Sequence, residues 1–562
     1  MLSSPAGFTR RGFLRRAGGA AALVLGGPML SSCGNSTAPA AGAGGGPGPA
    51  LETPFKHGVA SGDPLADRVI LWTRATPVAG EDIPVTVSVY RDAALSQLVG
   101  SASQTASAAR DWTIKIDFAG LQPGTSYYYR FSALGFQSPI GRTRTAPAEG
   151  VQRLRFGVVS CSSYAHGYFN AYAQVAKRAD LDVILHLGDY VYEYGNGEYG
   201  DLRPYEPATE MLTLADYRTR HSYYKRTDPD LQEVHRQHPF ICVWDDHETA
   251  DNSWRDGANN HTEGAEGAWV DRKAYGQQVY DEWMPIRLPE PGNPDRIYRK
   301  FSYGGLMDLI MLDTRLHDRD EPLGLPPLPP DDVADPDRKL LGPEQQQWLL
   351  DSLSSSTATW KFLGQQVMFG QLKVVGLPDL STQVPQLSLI PIAGSGGQYL
   401  NGDQWDGYQA ERSAIFNHLA EQAIDNVVVL TGDIHTSWTM DLTPDPNNPV
   451  AYNPLTGAGS LAVEYVCTSV TSPGLEQLAP VQDAISLVNP HIKYVDLQQK
   501  GYMVFDVTPE QVLGEHWYVS TITERGGTES FATAFPVAVG SNRLGAASGA
   551  STPPANSPAL AP

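Results

Sequence analysis

After residue 150 the chain is punctuated by short, continuous apolar runs: 156–159, 183–185, 240–243, 309–312 and 427–430. Runs this short, rich in Val and Ile and lacking alternation, read as strands covered on both faces. Helix-like stretches lie between and after them, among them 343–353 and 410–425. The first of these begins at Pro343-Glu344, a favoured helix opening. The pattern is that of an α/β domain, and in such sheets ligands gather beyond the carboxyl ends of the strands.

Four of those ends carry residues able to bind metal. Val159 is followed by Ser160-Cys161-Ser162-Ser163, and Leu185 by His186-Leu187-Gly188-Asp189-Tyr190-Val191-Tyr192-Glu193. Val243 is followed by Trp244-Asp245-Asp246-His247-Glu248, and Leu430 by Thr431-Gly432-Asp433-Ile434-His435. One acid after a strand is often a helix cap, and one histidine is often structural. Four ends each carrying ligand-type residues are hard to explain by capping. Carboxylate oxygen suits hard cations, whereas imidazole and thiolate suit transition metals. A carboxylate shared by two ions, roughly 3.5–4 Å apart, can clamp a phosphate and activate water. Asp189 is the candidate bridge, and the phenol of Tyr192 suits a ferric ion.

The first 150 residues differ. Thr9-Arg10-Arg11-Gly12-Phe13-Leu14-Arg15 and the apolar stretch 17–30 form an export signal with paired arginines. Leu30-Ser31-Ser32-Cys33 reads as a lipobox whose cysteine would be acylated, so 1–33 is taken as signal and 34–52 as a flexible Gly/Ala/Pro linker. Residues 53–148 alternate with period two, as in 85–90 and 112–118, and read as a small β-sandwich. The catalytic region is expected to span 150–535, with a disordered Ala/Ser/Pro tail at 540–562. Cys242 and Cys467 sit in apolar runs and read as buried small hydrophobes. The net charge of −21 argues against stable nucleic-acid binding. It becomes four units more negative if the signal, with Arg10, Arg11, Arg15 and Arg16 and no acid, is removed.

The order Gly-Asp, Asp-His-Glu, Gly-Asp-x-His resembles the motif series of the calcineurin-like metallophosphoesterases, with Asp246 and Asp433 in place of Asn and His. The wording SCSS (160–163), GDYVYEY (188–194), VWDDHE (243–248), LDTR (312–315), WDGY (405–408) and VVLTGDIHTSW (428–438) resembles the PhoD-like alkaline phosphatase/phosphodiesterase branch. The stretch from HGVASGDP (57–64) to LQPGTSYYYR (121–130) resembles that branch's N-terminal domain.

The resemblance implies an α/β (α+β) sandwich of two β-sheets flanked by helices, preceded by an immunoglobulin or fibronectin III-like β domain. It implies Fe(3+) at Cys161, Asp189, Tyr192 and His435. It also implies Ca(2+) at Asp189, Asp246 and Asp433, with Asn252 nearby. His247 is the expected catalytic group, either stabilising the transition state or protonating the leaving group, or else a partner to a metal carboxylate. Arg315 would contact phosphate or support the site through a salt bridge. Asp245 and Glu248 read as supporting or capping groups, and WDGY as a structural turn.

The expected protein is a secreted, metal-dependent alkaline phosphatase with phosphodiesterase activity, periplasmic or cell-surface, monomeric, and acting on small phosphate esters or phospholipids. Rival readings are a phospholipase D-like or extracellular nucleic-acid phosphodiesterase, and a non-catalytic surface binding protein on the same scaffold.

Overall fold

The computed structural model describes residues 52–324, 328, 330–374 and 398–562. The export signal, Cys33 and nearly all of the 34–52 linker lie outside the described residues. All five apolar runs are strands: Leu154–Val159, Val183–His186, Pro239–Cys242, Met307–Met311 and Val427–Thr431. Every residue in them is buried, which is why they show no alternation.

Two sheets stack face to face. The first has nine strands, with Leu154–Val159, Val183–His186 and Pro239–Cys242 paired in parallel near its middle. The second has seven, with Met307–Met311, Trp360–Gly364, Val427–Thr431 and Ala462–Val466 in parallel. Phe156 stacks on Phe505 at 5.2 Å and meets Phe362 edge-on at 5.4 Å across the interface. The pleat sorts the side chains. Val428 and Leu430 join the core between the sheets, whereas Val427 and Val429 join a second core beneath the helices Gly342–Ser355 and Gln409–Glu421. The helices Leu214–Thr227, Pro229–Gln237 and Trp269–Trp283 contribute Tyr217, Val234 and Trp283 to the larger core. Among the described residues no helix is long and apolar enough to cross a membrane.

Two expectations change. The N-terminal β region is a sandwich, with a core of Val69, Leu71, Val85, Val87, Tyr129 and Phe131. Only one of its layers is its own, however: the sheet built on Ile83–Tyr90, Leu98–Ala106 and Ser126–Ala133. The other layer, Val59–Gly62, Arg68–Arg74 and Thr113–Ala119, continues the nine-stranded sheet, because Val59–Gly62 pairs in parallel with Pro239–Cys242. Residues 54–562 form one compact unit.

The tail expected to be disordered at 540–562 lies against the fold. Leu544 N donates to Asp441 at 2.8 Å, Tyr128 Oη donates to the Ala559 carbonyl at 2.6 Å, and Ala561 N donates to Gln237 at 2.8 Å. Its small residues let the backbone lie close to anchored side chains, and its polar side chains bond as well, Asn542 Nδ2 donating to Asp425 at 2.6 Å.

Candidate metal centre

The parallel strands of both sheets deliver their carboxyl ends to one buried place. There the chain turns sharply. Cys161, Asp189, Asn252, Asp433 and His435 all adopt left-handed φ angles, between 51° and 62°. Gly188 stands before Asp189 because a Cβ there would fall 2.4 Å from that of Asp245. Cys161 N donates to the Gly188 carbonyl at 3.0 Å and Ser162 N to that of Asp189 at 2.8 Å, joining the first two strand ends.

Among the described residues three groups of ligand atoms result, each within 4.8 Å of one another: Cys161, Asp189 and His435; Asp189, Asp246 and His247; Asp245, Asp246 and Asp433. Tyr192 Oη joins the first, 2.8 Å from Asp189 Oδ2 and 3.2 Å from His435 Nε2. The Pro473 carbonyl accepts from His435 Nδ1 at 2.7 Å, which turns the Nε2 lone pair towards Asp189 Oδ2, 3.5 Å away. Asn252 sits against Asp246, its backbone N–H 2.5 Å from Oδ2.

These residues fit metal ions. Asp189 Oδ1 and Asn252 Oδ1 are buried with no hydrogen-bond partner among the described residues. His435 Nε2, Asp189 Oδ2 and Tyr192 Oη thus face one another as ligand atoms around a single point would. Burial, then Asp246, Glu248 and Asp433 push the Asp189 carboxyl well above its ordinary range, although His247 opposes them. Burial, then Asp189 push the Cys161 thiol up. Positive charge placed among these groups would return carboxylate and thiolate. The first group mixes sulfur, nitrogen and oxygen donors. Asp189, Asp246, Asp433 and Asn252 offer oxygen alone.

Arg315 is fully buried and its donors are taken. Nε meets Asp245 at 2.5 Å, Nη1 meets Asp403 at 2.9 Å and Nη2 meets Asp433 at 2.6 Å. Of the two roles expected for it, this geometry is the supporting one: a cation that holds the carboxylates in place. Glu248 caps three backbone N–H groups, those of Asp189, Tyr190 and Asp245. The WDGY segment is a buried 3-10 turn beside the residue that holds Asp433. Gln404, just before it, donates to Asp433 Oδ2, Trp405 Nε1 donates to Gln365, and Asp406 pairs with Arg412. Tyr190, Tyr217 and Tyr224 are core residues, whereas Tyr194 and Tyr199 stack at 5.0 Å beside His247.

Sequence reasoning missed Glu193. It is fully buried, and its Oε2 lies 2.7 Å from His247 Nδ1. Its other oxygen accepts from Asp251 N and Asn260 Nδ2, both at 2.9 Å. Burial disfavours charge on His247, but Asp246, Glu193 and Asp189 outweigh it and hold the imidazole well above its usual value. GDYVYEY places a carboxylate directly after Tyr192 but does not mark which group it faces. Ser472 was missed as well; its Oγ lies 2.5 Å from Tyr192 Oη. Glu193→Gln is expected to lower kcat roughly 10- to 100-fold while KM and metal content hold, since it loosens His247 without removing a ligand. Steady-state kinetics beside elemental analysis checks this; an unchanged kcat would mean that Glu193 only fills space.

A model of the PhoD-like phosphatase family matches residues 156–516, and one of the PhoD-like phosphatase N-terminal domain matches 40–147. Alkaline phosphatase D of Bacillus subtilis (strain 168) is 36% identical over 549 residues, covering 94% of this chain and 87% of that protein. A solved structure described as that of PhoD superposes with a TM-score of 0.78 at 34% identity, covering 90% of this chain and 94% of the other.

Proposed function

The chain belongs to the PhoD-like phosphatase family, and from that premise we propose that it is an exported, metal-dependent alkaline phosphatase acting on phosphomonoesters and phosphodiesters. The observation that carries this reading is the shared carboxylate. Asp189 belongs both to the group with Cys161 and His435 and to the group with Asp246 and His247. Cys161, Asp189, Tyr192 and His435 would hold ferric iron; Asp189, Asp246, Asp433 and Asn252 would hold calcium. When bound, such ions supply positive charge to the phosphate oxygens and acidify water.

The remaining chemistry belongs to the chain. Glu193 fixes the His247 ring through Nδ1, so that Nε2 presents its proton to the ester. There it offsets charge on the phosphate or protonates the departing oxygen. Arg315 keeps Asp245 and Asp433 from repelling one another. The burial of every one of these groups excludes bulk water and strengthens each charge interaction. Substrates of this reading are small phosphate esters or phospholipids, met by a monomer outside the cytoplasm. The paired arginines at 10–11 and the lipobox cysteine Cys33 support export and a lipid anchor.

Elemental analysis tests the assignment. Purified protein is expected to hold about one iron per chain, to lose activity on calcium chelation and to regain it with calcium. Zinc or manganese in place of iron would sink the roles given to Cys161 and Tyr192. A monoester, a bis-aryl diester and a phospholipid assayed side by side set the substrate class. No metal and no turnover of any of them would leave a binding protein on this scaffold.

A further inference from the structure

Away from the metal centre, the N-terminal strands meet the helices Leu214–Thr227 and Trp269–Trp283 around a buried lysine. Lys225 is 2% exposed, and among the described residues no carboxylate forms an ion pair with it. Its Nζ donates to Tyr190 Oη at 2.7 Å and stands 4.9 Å from the centre of the Trp72 ring. Tyr190 Oη in turn lies 2.8 Å from His235 Nε2.

Beside it are polar atoms with nothing to bond. Both ring nitrogens of His221, Nδ1 of His57 and Nε1 of Trp283 are buried without partners. They belong to adjoining rings: the Trp283 ring lies 5.3 Å from that of His57 and 6.3 Å from that of His221. The Arg74 guanidinium, paired with Asp111 at 2.8 Å, lies 5.5 Å from the Trp283 ring. An indole N–H can only donate, so no neighbouring N–H can satisfy it.

The field here is positive. Burial, then Arg74, Arg226, Lys225 and Lys56 press the His57 imidazole well below its usual value. Burial, then Lys225 and Arg220 bring His221 to about 3. Burial brings the Lys225 ammonium down to about 7, offset only by Cys242. Asp111 answers Arg74, but no negatively charged acceptor among the described residues answers Lys225 and the orphaned ring donors.

We infer that this cluster binds a small monovalent inorganic anion of chloride size, held by Trp283 Nε1, the His57 and His221 ring N–H groups and Lys225. The donors are single ring-edge groups rather than guanidinium forks, which suits a spherical halide better than a phosphate. A water could satisfy two of the orphaned atoms but would not compensate the charge that Lys225 carries below about pH 7. The bound anion locks the N-terminal layer onto the two helices, since His57 and Trp72 come from the former and His221, Lys225 and Trp283 from the latter.

Crystals of the full chain soaked in sodium bromide test this. A bromine anomalous peak within hydrogen-bond reach of Trp283 Nε1 is expected. At fixed ionic strength, replacing gluconate with about 0.1 M chloride is expected to raise the melting temperature by a few degrees, as for any ligand that binds only the folded state. Trp283→Phe and His221→Leu should remove that response; if either fails to fold, the bromide map of the unaltered protein decides.

The pH response gives a second readout. In the unfolded chain Lys225 keeps its proton to 10.5, but in the fold only to about 7. Chloride-free protein should therefore gain stability as pH rises from about 7 to about 10.5, because only the unfolded chain holds the proton in that window. Bound halide keeps the proton on and should flatten the rise. No anomalous peak, or a peak of water alone, together with equal melting temperatures in the two salts, overturns the inference.

Discussion

Replacing Asp189 with asparagine is expected to cost roughly 10³-fold or more in phosphate-ester hydrolysis, the scale on which the loss of one preorganised charge is felt at a reacting centre. The substitution is clean. Asparagine has the same shape and tolerates the left-handed φ of 57° found there, so the strand end keeps its turn. What disappears is the anionic oxygen common to the two proposed metal positions. Iron and calcium content should fall together, whereas Asp433→Asn, which touches only the oxygen-rich position, should lower calcium and leave iron. The metal-free Asp189→Asn protein should melt no lower than the metal-free parent, because burial and three nearby acids already disfavour charge at this carboxyl. Activity within tenfold of the parent, with both metals retained, would remove Asp189 from its bridging role.

The second large effect is on stability. Arg315→Met is expected to destabilise the fold by about 3–5 kcal/mol, the cost of removing one partner from a buried ion cluster. Methionine fills similar space, so the loss is of charge and hydrogen bonds rather than of volume. It leaves Asp245, Asp403 and Asp433 facing one another, with Arg319 still on Asp403. Arg315→Lys should recover only part, since one ammonium cannot fork to three carboxylates. Denaturant unfolding of the chelated protein measures both variants. A midpoint matching the parent would mean that the carboxylates are protonated and need no cation.

Much of this was legible in the residues. The strand runs and their ligand-bearing ends are local signals: burial on both faces makes a continuous apolar stretch, and the turn that follows needs residues able to adopt left-handed backbone. Cys161, Asp189, Tyr192, Asp246, Asp433 and His435 could thus be picked out one by one and are brought together by the fold. Groups that act through other side chains left no such mark. Glu193 contacts His247 from 54 residues away, and nothing in Tyr192-Glu193-Tyr194 says which way the carboxylate faces. Arg315 reads equally well as a phosphate ligand until three carboxylates are seen to occupy it. The shared sheet was hidden for a different reason. Val59–Gly62 is four residues long, and its parallel partner lies far along the chain, whereas sequence patterning reports only near neighbours. The tail was misread because composition records the absence of large apolar side chains and says nothing of backbone groups that a folded surface can bind.

The left-handed turns at Cys161, Asp189, Asn252, Asp433 and His435 carry a consequence for how such a protein can change. Each is a conformation that glycine adopts freely and that an L side chain adopts only at a cost of about 1 kcal/mol. Glycine at any of the five would relax the backbone and delete a donor. Local backbone preference and donor chemistry therefore pull in opposite directions at the same five codons. The strain stored at these turns is held in place only by what the side chains grasp, as Arg315 grasps Asp433, so each donor that shapes the site is also a tie that keeps its own strand end bent.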